Sequence, residues 1–196
     1  MPSPIAHVLG GVAVAWMADL LPGRPSGRAV SREELPAAGS RVAVTCACLA
    51  AFPDVDLLLP ITHRTVTHSL SAVAFVGVLM IIAAGVTGKV TTKIALTYMA
   101  AYASHLLLDW LQADPTPPFG LQLLWPFSST WFISGWSVFR ATDRRHVLEV
   151  ATMKRNAVAI LQEIAILAPV MAALWLVRVK ALARLAAEMS RGDHSP

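Results

Sequence analysis

Residues 53–69 read PDVDLLLPITHRTVTHS, and the chain on both sides of this stretch is almost wholly apolar. Polar residues at the end of a lipid-soluble segment are costly to bury and are usually functional. Aspartate and histidine are also the side chains that bind divalent transition metals. We therefore take this stretch as the centre of a candidate metal site. Its charged and ligand-type residues are Asp54, Asp56, His63, Arg64 and His68.

The composition predicts a membrane protein. Apolar residues make up 56% of the 196 residues, charged residues only 14%, and the mean hydropathy is +0.59. Soluble domains carry about 25% charged residues, so much of this surface is expected to face the lipid bilayer. The net charge of +4 is modest and suits lipid headgroups. Without a basic patch interleaved with aromatic residues, no nucleic-acid partner is expected.

The predicted fold is all-α, a single membrane-embedded domain over residues 1–196 built as a bundle of about five apolar helices. Each run approaches the length needed to cross a hydrocarbon core of about 30 Å. Pro53 should end the second helix near Phe52, and Thr67 or Ser69 should cap the third. The apolar runs cover residues 5–21, 41–59, 68–86, 92–111 and 157–179. A polar loop is expected at 22–40, a Pro- and Trp-rich connector at 112–152, and an amphipathic, finally disordered tail at 180–196.

Alternate crossing of the membrane brings the candidate residues to one face. Four segments then lie on the same side of the membrane: the start of the first run, the turn after the second, the end of the fourth and the start of the fifth. This pattern predicts one site assembled from distant parts of the chain. Ten of the sixteen basic residues fall on the opposite face, so the positive-inside rule places the site outside the cytoplasm. The residues brought together are His7, Asp54, Asp56, His63, His68, His105, Asp109 and Glu163.

Two short patterns carry the metal chemistry. His105 and Asp109 are four residues apart, so their side chains share one helix face. Both could bind one ion, or Asp109 could orient His105 through a hydrogen bond; the alternative is a buried His–Asp pair without metal. Asp54 and Asp56 point the same way in an extended turn, as a two-metal site requires. Their alternative role is to cap a turn at the membrane interface.

The expected roles divide into ligands and catalytic groups. His63 is a further ligand or a general acid and base. Arg64 could hold a phosphate or carboxylate with two hydrogen bonds, or extend to the headgroups. Glu163 lies in an apolar run, so it needs a partner and is expected to relay protons. Zinc is the expected ion, with manganese or magnesium as alternatives, and its ligands are His7, Asp54, Asp56, His68, His105 and Asp109.

Four motifs in this order resemble the YdjM-like family of bacterial membrane-bound, metal-dependent hydrolases. They are PDVD at 53–56, HRTVTHS at 63–69, HLLLDW at 105–110 and GLQLLWPFS at 120–128. His7 before Gly10 and Gly11 also matches, and the resemblance covers residues 5–135. It implies a multi-pass protein of the bacterial inner membrane with a metal-dependent hydrolase activity. The residues that inherit a functional role from it are Asp54, Asp56, His63, Arg64, His68, His105 and Asp109.

A fainter similarity connects the chain to the zinc-dependent phospholipase C and single-strand zinc nuclease group. Asp54 and His68 are fourteen residues apart, and His105 with Asp109 supplies an HxxxD pair, as in those helical enzymes. The similarity implies phosphoester hydrolysis at a cluster of metals. Those enzymes are soluble, however, and several of their later ligands have no match here.

The predicted function is hydrolysis of a lipid or lipid-linked phosphoester by a metal-activated water. The rival is a metal or proton transporter, which would use the same ligands but needs polar residues continuing across the membrane. A third alternative is a non-catalytic membrane protein whose His/Asp cluster is structural. Metal analysis separates the third from the others, and vesicle flux against phosphoester turnover separates the first two.

Overall fold

The computed structural model describes residues 1–21, 34–58, 63–88, 91–144 and 146–192. The regular secondary structure in these ranges is helical, and residues 111–144 form an irregular connector. Strand pairing in these ranges is limited to two isolated bridges within the connector. The all-α prediction is therefore confirmed. The elements are α1 (Pro4–Leu20), α2 (Glu34–Ala51), a 3₁₀ helix (Phe52–Leu58), α3 (Leu70–Thr87), α4 (Thr92–Trp110) and α5 (Val150–Gly192).

The helix ends follow the local sequence. Helix α2 stops at Ala51 and tightens into the 3₁₀ helix that contains Pro53, because the residue before a proline is pushed out of the α region. Of the two candidate caps for α3, Ser69 serves, and its side chain accepts from the Ala72 N–H at 3.1 Å. The predicted ends at Phe52 and Ser69 are confirmed.

Two predicted boundaries are wrong. Residues 34–40 were expected in a polar loop, yet they form the first turns of α2. The fifth helix begins seven residues earlier than expected, at Val150, and continues through most of the predicted tail to Gly192. That tail is rich in Ala, Leu, Arg and Lys, all strong helix formers, so nothing stops the helix at 179. The remaining loop residues 22–33, and residues 193–196 where disorder was expected, lie outside the described residues.

Helix α1 is the centre of the packing and contacts α2, α4 and α5, while α3 packs on α4. Gly11 permits the closest approach, since a Cβ at this position would overlap the Cys46 carbonyl of α2. Small residues let helices approach closely where the hydrophobic effect cannot drive association, as in lipid. This packing brings the first turns of α1 beside the end of α2 and the last turns of α4.

Two helices are long and apolar enough to cross a membrane within the described chain, Leu70–Thr87 and the Val150–Arg184 part of α5. Helix α1 is apolar but shorter, with 17 residues. Gly77 is the one fully buried residue of helix α3, and an apolar helix with an exposed surface is expected to face lipid.

The connector between α4 and α5 folds back over the loop that precedes α3. Leu121 is completely buried, and the Leu70 N–H donates to the Leu123 carbonyl at 2.8 Å. The Gln122 N–H donates to the Arg64 carbonyl at 3.0 Å, and the Ser71 hydroxyl donates to the Trp125 carbonyl at 2.7 Å. The GLQLLWPFS motif thus holds residues 63–71 in place.

Candidate metal centre

Four ligand-type side chains from three parts of the chain meet in one place. The Nε2 atom of His68 lies 3.1 Å from Nε2 of His105, 3.7 Å from Oδ1 of Asp54 and 3.5 Å from Oδ2 of Asp109. Nε2 of His105 lies 3.6 Å from each of the same two carboxylate oxygens. Four ligands at bond lengths of about 2.1 Å around tetrahedral zinc lie roughly 3.4 Å apart. These five distances are close to that value, as is expected for side chains that could bind the same divalent cation.

The outer nitrogen of each imidazole is already held, which leaves its Nε2 facing inward. His105 Nδ1–H donates to the Ala50 carbonyl at 2.7 Å. His68 Nδ1 lies 3.1 Å from Oδ2 of Asp56. Such contacts orient histidine ligands in metalloproteins and fix their tautomer. Both imidazoles are completely buried, so their orientation is set before any ion arrives.

Several buried polar atoms at this place have no hydrogen-bond partner within the described chain. They are both ring nitrogens of His7, Oδ1 of Asp54 and both carboxylate oxygens of Asp109. Buried polar groups in native proteins are nearly always paired, and exceptions call for a cause such as an ion. The residues present thus fit a divalent cation.

His7 lies against the same cluster from α1. Its ring stacks on His105 with centroids 3.7 Å apart, and its Nε2 is 3.5 Å from Oδ1 of Asp109. Asp109 therefore faces His68 and His105 with one oxygen and His7 with the other. His7, His105 and Asp109 form one group whose ligand atoms could hold an ion, and Asp54, His63 and His68 form another.

Asp56, which was predicted as a ligand, contacts Nδ1 of His63 and Nδ1 of His68 rather than the inward-facing Nε2 of His68. Its carboxylate lies 2.7 Å from Nδ1 of His63 and also contacts Nδ1 of His68. It accepts from the Thr67 hydroxyl at 2.7 Å and from the Arg64 N–H at 3.3 Å. Both oxygens are thus engaged, and Asp56 orients the two imidazoles.

The charges at the cluster favour a cation. Burial raises the pKa of Asp56, but its contacts with His63, His68 and Thr67 outweigh this and hold that pKa below its usual range. Burial likewise opposes the lowered pKa of Asp54, which contact with His68 and the charges of His105 and Arg144 produce. The two aspartates raise the pKa of His68 to about 9 against the effect of burial. Carboxylates in this loop therefore stay ionised.

His63 and Arg64 lie at the edge of the cluster. The His63 ring packs edge-on against His68 with centroids 4.9 Å apart, and it contacts the Met1 side chain. Arg64 was expected to bind an anionic substrate, but its Nη1 donates to Asp114 at 2.5 Å. Its φ of 65° lies in the left-handed region, where strained residues at functional sites are often found. Arg64 is thus committed to the connector.

Glu163 is completely buried, but it binds the N-terminal segment instead of the metal cluster. Its Oε1 accepts from the Ser3 N–H at 2.7 Å, and its other oxygen accepts from the Ser3 hydroxyl. Ser3 is the N-cap of α1, so Glu163 fixes the start of α1 against α5. The prediction that it needs a partner is confirmed, and its role in a proton relay stays a prediction.

Two residues at the site were missed by the sequence analysis. Asp114 accepts from Arg64 and from the Gly120 N–H, the latter at 2.8 Å; its position before a proline at the end of an apolar run was a usable signal. Arg144 donates to Oδ2 of Asp54 at 3.2 Å. Nothing in the sequence marked Arg144, because it lies thirty-five residues beyond Asp109 in a charged loop.

The comparisons with known proteins agree with the membrane interpretation. A family model described as YdjM inner membrane protein matches residues 1–185. No curated protein and no solved structure was found to match the chain.

Proposed function

The chain belongs to the YdjM family of inner membrane proteins, and from that premise we propose that it is a membrane-embedded, metal-dependent hydrolase of a phosphoester or lipid-type substrate. The observation that carries the proposal is the set of buried atoms on His7, Asp54 and Asp109 that have no hydrogen-bond partner within the described residues. They lie beside the inward-facing Nε2 atoms of His68 and His105. A cation there would satisfy Oδ1 of Asp54 and Oδ2 of Asp109, the two carboxylate oxygens that face Nε2 of His68 and of His105.

Four residues would hold the ion: Asp54, His68, His105 and Asp109. When bound, the ion supplies a water of lowered pKa, about 7, as nucleophile and polarises the scissile group. Zinc suits two imidazoles and two carboxylates best, with manganese or magnesium as alternatives. His63 lies beside the cluster with 25% of its side chain exposed and Nδ1 on Asp56, so it is the residue placed to exchange a proton with water or leaving group.

The membrane arrangement that we propose is a five-span bundle of α1 to α5. Helices α3 and α5 pass the length and composition test, and α1, α2 and α4 pack together between them. The alternation of these spans puts the whole cluster at one membrane face, and the basic residues place that face outside the cytoplasm. A site at this depth suits a lipid or lipid-linked phosphoester.

The opposite end of the bundle counts against a transporter. Asp19 of α1 and Arg178 of α5 lie there and bind each other, with Nε donating to Oδ2 at 2.7 Å. An ion or proton path would need polar groups that are open to the passing species. These two are engaged with one another.

The test is metal content together with phosphoester turnover of the purified protein. His105→Ala should lose the bound metal and the hydrolysis of bis(p-nitrophenyl) phosphate, because it removes a buried ligand. His146→Ala is the matched control, since His146 is exposed and pairs with Glu149 outside the cluster. Full activity in His105→Ala, or metal-free wild-type protein with activity, would overturn the proposal.

A further inference from the structure

The Arg144 guanidinium lies next to a proposed metal ligand, and one of its two terminal nitrogens has no hydrogen-bond partner within the described residues. Its Nη2 donates to Oδ2 of Asp54 at 3.2 Å. The other oxygen of Asp54, Oδ1, faces His68 and His105. One carboxylate therefore separates the guanidinium from the place where the ion would bind.

The second arm of this guanidinium has no partner within the described chain. Nη1 of Arg144 is buried and makes no hydrogen bond there. A guanidinium cannot relieve this by losing its proton, since it stays charged in proteins. An unpaired, buried, charged donor is costly, so an acceptor that reaches it would be bound favourably. Because Asp54 is already engaged through Nη2, that acceptor is expected to be an anionic group of a ligand.

The backbone that carries Arg144 is fixed from both sides. The Thr142 N–H and hydroxyl both donate to the Met1 carbonyl, at 3.0 and 2.8 Å. The Asp143 N–H donates to the Asn156 side chain at 2.8 Å, and the Asn156 amide donates back to the Asp143 carbonyl at 2.7 Å. Residues 142–143 thus join the start of the chain to α5, and they hold Arg144 over Asp54.

Arg64, the other arginine of the site, is not equivalent. Its Nη1 is taken by Asp114, which the connector also holds through the Gly120 N–H. Nε of Arg64 is also buried without a partner within the described residues, but the Arg64 side chain binds Asp114, whereas the Arg144 side chain binds the proposed ligand Asp54.

We propose that Arg144 binds the phosphate group of the substrate, with Nη1 donating to a non-bridging oxygen while Nη2 stays on Asp54. This rests on the proposed function and names the residue that gives the site its preference for an anion. Arginine suits the task because its planar fork matches phosphate oxygens.

The experiment measures binding of inorganic phosphate to the metal-loaded protein by calorimetry, with metal content determined in parallel. Arg144→Gln should weaken phosphate binding about 10- to 100-fold, the loss expected for a charged hydrogen bond, and leave the metal content unchanged. Arg144→Lys should restore part of the affinity, since it keeps the charge without the fork. Arg140→Gln, an exposed arginine of the same connector, should bind phosphate as the wild type does.

A second experiment distinguishes a soluble phosphoester from a lipid phosphate as the substrate. KM is compared for soluble p-nitrophenyl phosphate and for phosphatidic acid in mixed micelles. The substrate whose KM rises more in Arg144→Gln is the one whose phosphate this residue holds.

Three results would overturn the inference: unchanged phosphate affinity in Arg144→Gln, absence of phosphate binding by the wild type, or loss of metal in step with phosphate. The last would make Arg144 a positioning residue for Asp54. Failure of the proposed function is a different result, because it shows as retained turnover in His105→Ala whatever phosphate does.

Discussion

The polar groups at the two ends of the helix bundle differ in whether they find hydrogen-bond partners. At one end Asp19 and Arg178 bind each other, and Trp16 packs against Trp175 with ring centroids 5.4 Å apart. At the other end His7 and its neighbour Asp109 are completely buried with no hydrogen-bond partner within the described residues.

The contrast shows that burial of charge alone does not indicate function. The Asp19–Arg178 pair closes on itself, as a structural contact between helices in lipid should. Glu163, at the end of the bundle that holds the metal cluster, is a second example, since its carboxylate oxygens accept hydrogen bonds from Ser3. The informative atoms are the unpaired carboxylate oxygens of Asp54 and Asp109, because they face the imidazoles of His68 and His105.

The largest effect on metal binding is expected when the charge of a proposed ligand is removed. Asp109→Asn keeps the size of the side chain but should abolish stoichiometric metal binding, because one neutral amide replaces the carboxylate that faces all three buried imidazoles. Elemental analysis of the purified protein measures this. The matched Asp19→Asn change at the paired end should retain wild-type metal. If both variants kept their metal, the two ends would not differ as described.

A smaller effect is expected at Asp56, which orients imidazoles without facing the ion. Asp56→Asn should weaken metal affinity about 10- to 100-fold, as loss of such outer contacts does elsewhere. Competition with a chelator gives the dissociation constant. Glu149→Gln, in an exposed ion pair, serves as control. Complete loss of metal would instead place Asp56 among the ligands, as the sequence had suggested.

The smallest effect on the chemistry is expected at Glu163. Glu163→Gln can still accept the Ser3 N–H, so turnover should persist near the wild-type level. Glu163→Ala should lower the free energy of unfolding by about 1–3 kcal/mol, since two hydrogen bonds of a buried anchor are lost. Turnover assays and denaturation in mild detergent measure the two quantities. Inactive but stably folded Glu163→Gln would restore the proton-relay role.

Much of the fold followed from local sequence. Pro53 ended α2, and Ser69 capped α3 where its hydroxyl could reach the Ala72 N–H. Predicted helix boundaries were wrong where hydropathy and helix propensity disagree. Residues 180–192 are too polar to count as an apolar run, yet they are good helix formers and simply continue α5.

The features of the site likewise divide into those that local sequence predicts and those that it does not. The pairing of His105 with Asp109 is a matter of helix periodicity, so spacing alone predicted it. The different roles of Asp54 and Asp56, by contrast, could not be predicted from their spacing. Their spacing suggested equivalent roles, but the 3₁₀ helix points Asp54 towards His68 Nε2 and Asp56 towards its Nδ1.

By itself, the sequence determined an all-helical, apolar chain with ligand residues at the ends of its runs, because periodicity, hydropathy and capping are local properties. Only the tertiary structure decided which polar atoms find partners. Glu163 meets Ser3, Arg64 meets Asp114, and Arg144 reaches Asp54 from ninety residues away. Such pairings depend on how whole helices pack, and no local pattern encodes them. Among the buried atoms that stay without a partner in the described residues are the carboxylate oxygens of the candidate metal centre, on Asp54 and Asp109.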